Sequence, residues 1–400
     1  MEGLILSRKP NTLNTLAIMS VFLIAASAGS VGATVQPMIE AFPQVPAATI
    51  RLVTTIPSMT GMVVTFLVGL VAGKKIPFRT ICVLGSVFML AGGVLPVFLT
   101  GSVYAVLVCR LLLGVGTGCF GIRNALVIKS YPEDQRADML GKGSFAQNLA
   151  SIFMSSIAGI LADISWNLGF AVYAIAAVTV VMTVLFLKEP ETPATAVQTP
   201  SGKKEGAKFS PMIIVMGVFL ALASMSGYCI IIGISTFLKE QNLGSASMAG
   251  TVISAFSIGG VVFSYIFGKL FAVLKKYNLS AFALVVALGL TLLLWGGNMV
   301  FIYMGAFLCG GGFACYMAAT LAFAGQMAEP SLVTSSTTII MTINQIGIVL
   351  SSCFVTLAGE LLPSGSEISD SFLLGILCMV IVAAVCQICR IYPDAFKVRK

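Results

Sequence analysis

Apolar runs long enough to cross a bilayer recur along nearly the whole chain, and this recurrence limits the fold more than any motif. Bounded by charges, prolines or polar clusters, they fall at 13–36, 47–73, 78–99, 102–128, 141–162, 167–187, 211–236, 247–272, 279–297, 299–323, 333–358 and 370–390. A crossing helix needs about 20 mostly apolar residues, so each run can supply one span. Hydrocarbon offers no water to satisfy backbone amides and carbonyls, which leaves helices as the form such runs must take. The expectation is an all-α membrane protein with twelve transmembrane helices. Charged residues make up 10% of the chain, against about 25% in an average soluble domain. Arg8 and Lys9 ahead of the first run resemble a signal peptide, but with eleven further spans an uncleaved first helix is the better reading.

Between the sixth and seventh runs lies the long polar connection 188–210, which contains Pro190, Pro193, Pro200, Lys203, Lys204 and Lys208. It reads as a linker joining an N-terminal six-helix bundle, 1–187, to a C-terminal one, 211–400. The halves echo each other. Leu84–Gly85 and Gly92–Gly93 in span three match Leu288–Gly289 and Gly296–Gly297 in span nine at equal spacing, and Gly114, Gly116 and Gly118 answer Gly310, Gly311 and Gly312. A duplicated six-helix unit places a binding site between the halves near mid-membrane.

Lys and Arg sort by loop. With the N-terminus in the cytoplasm, nineteen fall on that side and two, Arg51 and Lys239, on the other. Both termini are therefore expected inside a cell membrane, and the formal charge of +8 needs no nucleic-acid partner. With no histidine, imidazole metal sites and proton relays are excluded. The ten cysteines lie mostly in apolar runs as small hydrophobes, and Cys386 and Cys389, a CxxC at a helix end, read as packing.

Several features now resemble the major facilitator superfamily, and the resemblance covers nearly the whole chain. Six spans, a basic linker and six more come first. The turn after span two is similar to the family's Gly-x-Leu-Ala-Asp-Arg signature: Gly69, Ala72 and Lys74 match, with Arg79 beyond, while Gly73 stands where the family has Asp. Arg110 with Gly114 and Gly116 resembles the Arg-containing motif of span four. The loop Pro132–Glu133–Asp134–Gln135–Arg136, leading to Gly141, resembles the acidic and basic loop before span five. The resemblance implies a bacterial-type twelve-span carrier of the inner membrane that works by alternating access, with Gly69, Ala72, Lys74 and Arg136 in gating loops. The span-five antiporter signature is missing from 141–162, which disfavours a proton-coupled drug antiporter.

Two arginines sit inside span four. Arg110 lies about 12 Å below the outer boundary at 1.5 Å per residue, and such a charge opposes insertion by about 2.5–3.5 kcal/mol unless it meets water, a carbonyl or an anionic ligand. Arg123, thirteen residues on, points elsewhere around an ideal helix and is a second candidate, with snorkelling to the inner surface as its other reading. No acidic residue falls clearly at a span centre, so a cavity between the halves is expected to be electropositive. Span five carries a polar stripe of Ser144, Gln147, Asn148, Ser151 and Ser155, and span eleven carries Thr338, Thr342, Asn344, Gln345 and Ser352. Gln147, Asn148, Asn344 and Gln345, with Tyr228 and Tyr316, are the expected hydrogen-bonding partners of a solute held by Arg110. Pro57 is a candidate kink, and Gly259–Gly260 a candidate bending point.

These readings converge on a secondary transporter of a small organic or inorganic anion, not an enzyme, with no cofactor and an unspecified coupling ion. The partners are the solute and the lipid bilayer, and the expected assembly is a monomer. Efflux of amphipathic, drug-like compounds is the rival among transporters. A non-transporting receptor or scaffold is the rival from another class.

Overall fold

A computed structural model describes residues 12–25, 29–73, 75–190, 211–295, 297–327, 333–362 and 365–392. Lys74 and most of the 188–210 linker lie outside the described residues. Among the described residues the chain is helical, with one isolated backbone bridge between Ala72 and Ile76. The N-terminal helices are α1 (Thr12–Ala25), α2 (Val35–Ala41), α3 (Ala47–Val71), α4 (Phe78–Val94), α5 (Val103–Cys119), α6 (Arg123–Ser130), α7 (Glu133–Ile164) and α8 (Ala176–Leu185). The C-terminal ones are α9 (Pro211–Glu240), α10 (Ala246–Leu274), α11 (Asn278–Trp295), α12 (Met299–Met327), α13 (Val333–Leu361) and α14 (Glu367–Ile388).

They form twelve crossings, and three of the expected single helices are segmented. Span one changes at a 3-10 turn, Gly32–Thr34, before α2, and span four at another, Phe120–Ile122, between α5 and α6. Span six begins as a 3-10 stretch, Leu168–Ile175. Glycines cluster at the first two breaks, where the missing side chains weaken helix continuity. The end of the bundle that carries Thr12 and Ile388 is called here the near end. The opposite, far end carries the links 42–46, 98–102, 165–167, 241–245, 297–298 and 365–366.

The packing is duplicated. In the N-terminal set, α3 and α4 each pack on α5, α1 packs on α7 and α8, and α4 packs on α8. In the C-terminal set, α10 and α11 each pack on α12, α9 packs on α13 and α14, and α11 packs on α14. Each set encloses its own apolar core, and Ala33 of span one reaches into the C-terminal one. The glycine echo is partly structural. A Cβ at Gly85 would meet Cys119 and the Gly116 carbonyl, and one at Gly289 would meet Cys309 and the Gly305 carbonyl, so both glycines allow the same helix pair to close. At the second echo Gly93 packs against the Tyr173 side chain, whereas its counterpart Gly297 turns the chain at φ +66 with open space around it; Gly296, the counterpart of Gly92, lies outside the described residues. Gly259 packs against the Phe307 carbonyl of α12, a close helix crossing rather than a free bending point.

Two seams join the halves, α7 against α10 and α3 against α13, related as spans five and eight are to eleven and two. In the first, Ser151 meets Ser257 at 3.3 Å and Ser156 meets Ser254 at 2.8 Å, while Gly159 and Gly250 bring the backbones together. In the second, Thr55 meets Ser352 at 3.1 Å. Ser235 of α9 also donates to the Ala33 carbonyl at 2.9 Å. Counted from the far end at about 1.5 Å per residue, these contacts reach about 20 Å deep. Toward the near end, α1 packs chiefly on α7 and α8 of its own half.

Candidate functional site

The far end is closed by charges that the sequence places at span ends. The Asp163 carboxylate, last turn of α7, accepts from Ser245 Oγ (2.8 Å) and from the backbone N–H groups of Ala246 (2.8 Å) and Ser247 (3.0 Å). The first amides of a helix have no partner within it, and a carboxylate there meets both the free N–H groups and the positive end of the helix dipole. A residue of one half thus caps α10 of the other. Arg51 on α3 donates through Nη1 to Glu367 on α14, again across the halves, with Arg51 buried and Glu367 half-exposed. Lys239 and Glu40 add an exposed pair at 3.4 Å.

Arg110 is placed inside the N-terminal half, with no solvent exposure. Its Nε donates to the Val53 carbonyl at 2.8 Å and its Nη1 to Tyr173 Oη at 2.9 Å, with the Phe170 and Tyr173 rings against the guanidinium. The Val53 carbonyl has a specific reason to accept. In an α-helix it would receive the N–H of the residue four later, and that residue is Pro57, which has none. Arg110 therefore supplies, from the next helix, the donor that the proline withholds. The kink candidate and the buried charge are one device, a link that sequence reading missed although the orphaned carbonyl was legible.

The four expected amides fall at similar depth but on opposite flanks. Gln147 and Asn148 lie on α7, about 24–26 Å from the far end, just beyond the deepest seam contact. Gln147 is half-buried, and Asn148 Nδ2 bonds its own turn at the Ser144 carbonyl, 2.9 Å away. Asn344 and Gln345 lie at matching depth on α13; Asn344 is buried and accepts from Ser224 of α9, while Gln345 is half-buried. The two amide pairs belong to different seams and do not meet. Each polar stripe is divided in use: Ser151 and Ser352 join the halves, and Gln147 and Gln345 lie beyond the join. Tyr228 is half-buried on α9. Tyr316 is 1% exposed and pairs with Cys386 of α14, inside the C-terminal core. Arg123 is half-buried, with Nη1 3.3 Å from the Phe120 carbonyl and the guanidinium over Phe22. Among the described residues no carboxylate lies within ion-pair distance of it.

The loop residues serve their own half. Ala72 donates to the Val68 carbonyl and closes α3; Gly69 is exposed. Gly73 turns at φ +69, where a Cβ would overlap Phe78, so the departure from the family's Asp is conformational. Glu189, after span six, accepts the Phe78 and Arg79 N–H groups at 2.8 Å each and caps α4. Arg136 Nε donates to the Tyr131 carbonyl at 3.0 Å, and Tyr131 Oη meets Thr15 at 2.9 Å.

No curated protein matches the chain significantly. Among solved structures, a point variant of the nucleoside transporter NupG matches with a TM-score of 0.76 at 14% identity, covering 94% of this chain and 98% of that one. A bacterial homologue of the human lysosomal transporter Spinster, inward-facing and occupied, matches at 0.70 with 15% identity, covering 94% and 95%. A POT family transporter in complex with 5-aminolevulinic acid matches at 0.73 with 12% identity, covering 95% and 96%. These likenesses concern the fold. The family model described as Major Facilitator Superfamily matches residues 17–352, and the chain belongs to that superfamily of membrane transporters.

Proposed function

We propose that the protein is a secondary transporter of a small organic or inorganic anion, held here in an inward-facing state. The bundles 1–187 and 211–400 rock about the two seams, the 188–210 linker lies in the cytoplasm with both termini, and the far end faces outward. The seam contacts, the Asp163 cap and the Arg51–Glu367 pair support closure at that end. The Spinster homologue of similar fold is inward-facing as well. The solute binds between the halves just beyond the deepest seam contact, flanked by Gln147 and Asn148 on one side and by Gln345 and Tyr228 on the other.

The observation that carries the anionic reading is Arg123, a half-buried guanidinium without a carboxylate among its described neighbours. An unneutralised cation beside the pathway favours an anion and disfavours a lipophilic cation. Arg110, engaged by Val53 and Tyr173, holds the shape of the N-terminal bundle instead. The test is thermal unfolding in detergent against anions, zwitterions and lipophilic cations, followed by flux of any hit in proteoliposomes. A ligand at a hundred times its dissociation constant stabilises by about 2.7 kcal/mol if it binds the folded state alone. Stabilisation by an anion that Arg123→Gln abolishes supports the reading. Equal stabilisation of wild type and variant by cations or neutral amphiphiles replaces it with efflux.

A further inference from the structure

On the outer surface of the C-terminal helices, toward the near end, α11 and α14 leave a groove of about 430 Å³. Ser280 and Ala383 form its floor, joined by a 2.8 Å hydrogen bond from Ser280 Oγ to the Ala383 carbonyl. Gln387 closes one end, its Nε2 donating to Ser280 Oγ at 2.9 Å and to the Lys276 carbonyl at 3.3 Å. These bonds satisfy the polar atoms within the helix pair, so Tyr277, Leu284, Val380 and Ala384 offer carbon to whatever fills the space. Basic residues gather at the closed end. Lys276 Nζ stands 5.1 Å over the Tyr277 ring, Lys275 is exposed beside it, and exposed Arg390 follows Gln387 by three residues. None of the groove's lining residues is acidic.

A second groove, about 360 Å³ between α1, α7 and span six, is lined by residues such as Leu23, Phe153 and Ile175 and includes no basic residue. It fits hydrocarbon of any kind. The α11–α14 groove differs by combining a trough for an alkyl chain with cations where the spans reach the bilayer surface. We propose that it binds an anionic glycerophospholipid, one acyl chain in the trough and the phosphate at Lys275, Lys276 and Arg390. Charge complementarity selects the headgroup, each basic residue near the surface contributing about a fivefold factor in affinity. The site is separate from the transport pathway and does not depend on which solute is carried.

Native mass spectrometry of the full-length protein, titrated with phosphatidylglycerol, phosphatidylcholine or glycerol phosphate, tests it. Phosphatidylglycerol is expected to be retained at least about tenfold more strongly than phosphatidylcholine, and glycerol phosphate not at all. The combined Lys275→Gln, Lys276→Gln and Arg390→Gln variant should bring both lipids to the same level. Ala384→Phe, which fills the exposed trough without entering the core, should weaken both. Equal retention of the two lipids by wild type overturns the proposal, as does a phosphatidylglycerol preference that survives both variants. Glycerol phosphate bound as tightly as lipid also overturns it and assigns the cluster to a soluble anion.

Discussion

Arg110 and Arg51 are both withdrawn from solvent, at 0% and 3% exposure, yet they tie together different surfaces. Arg110 lies deep in a span and joins α5 to α3 and Tyr173 within one half, supplying the donor that Pro57 lacks. Arg51 lies at the far end of α3 and reaches Glu367 in the other half. Depth in the membrane sets what a charge costs, but not which surface it stabilises. On the proposed cycle, the first arginine serves a bundle that stays whole, and the second serves an interface that opens during transport. Among the described residues, Arg51 Nε at the closed interface is buried without a hydrogen-bond partner.

The contrast can be broken by substitution. Arg110→Met should lower stability most, by about 3 kcal/mol, since it strands the Val53 carbonyl and removes the buried guanidinium that donates to Tyr173. Adding Pro57→Ala returns an N–H to that carbonyl and should recover about 1 kcal/mol, a coupling that thermal unfolding of the four-member cycle measures. At the interface the two partners should behave unequally. Glu367→Gln leaves a buried guanidinium without its carboxylate and should cost about 2 kcal/mol, whereas Arg51→Met leaves a half-exposed carboxylate that water can solvate and should cost under about 1 kcal/mol. Equal losses would show that Arg51 is not held by Glu367. Asp163→Ala removes the cap on α10 and should cost about 1 kcal/mol while loosening the far end. Smallest is Lys239→Gln, an exposed pair, within about 0.5 kcal/mol.

The fold was legible because hydropathy and loop charge are properties of the chain that the bilayer reads directly. The duplicated helix pairings follow the repeat, and Gly85 and Gly289 keep matched roles. The site was less legible, since it depends on which helices become neighbours. Pro57 announces an orphaned carbonyl four residues earlier, but nothing in sequence says that Arg110, 57 residues from Val53, fills it. Sequence shows only that no acidic residue falls clearly at a span centre, and Asp163 becomes a cap only once α10 of the other half arrives against it. Gly73, where the family has Asp, is explained by a positive φ that sequence does not display. Conversely, the polar stripes of α7 and α13 were found by periodicity, while which of their members join the halves, Ser151 and Ser352, required the structure.

The central claim is that the halves meet at the far end and part at the near end. Distances between spin labels at Gln44 and Gln241, on far-end links, and at Lys75 and Val273, at the near end, test it most directly in a background without reactive cysteines. The account predicts a short, narrow far-end distribution that Asp163→Ala broadens, and a longer, broader near-end one. A broad far-end distribution with a short, narrow near-end one in wild type would contradict it.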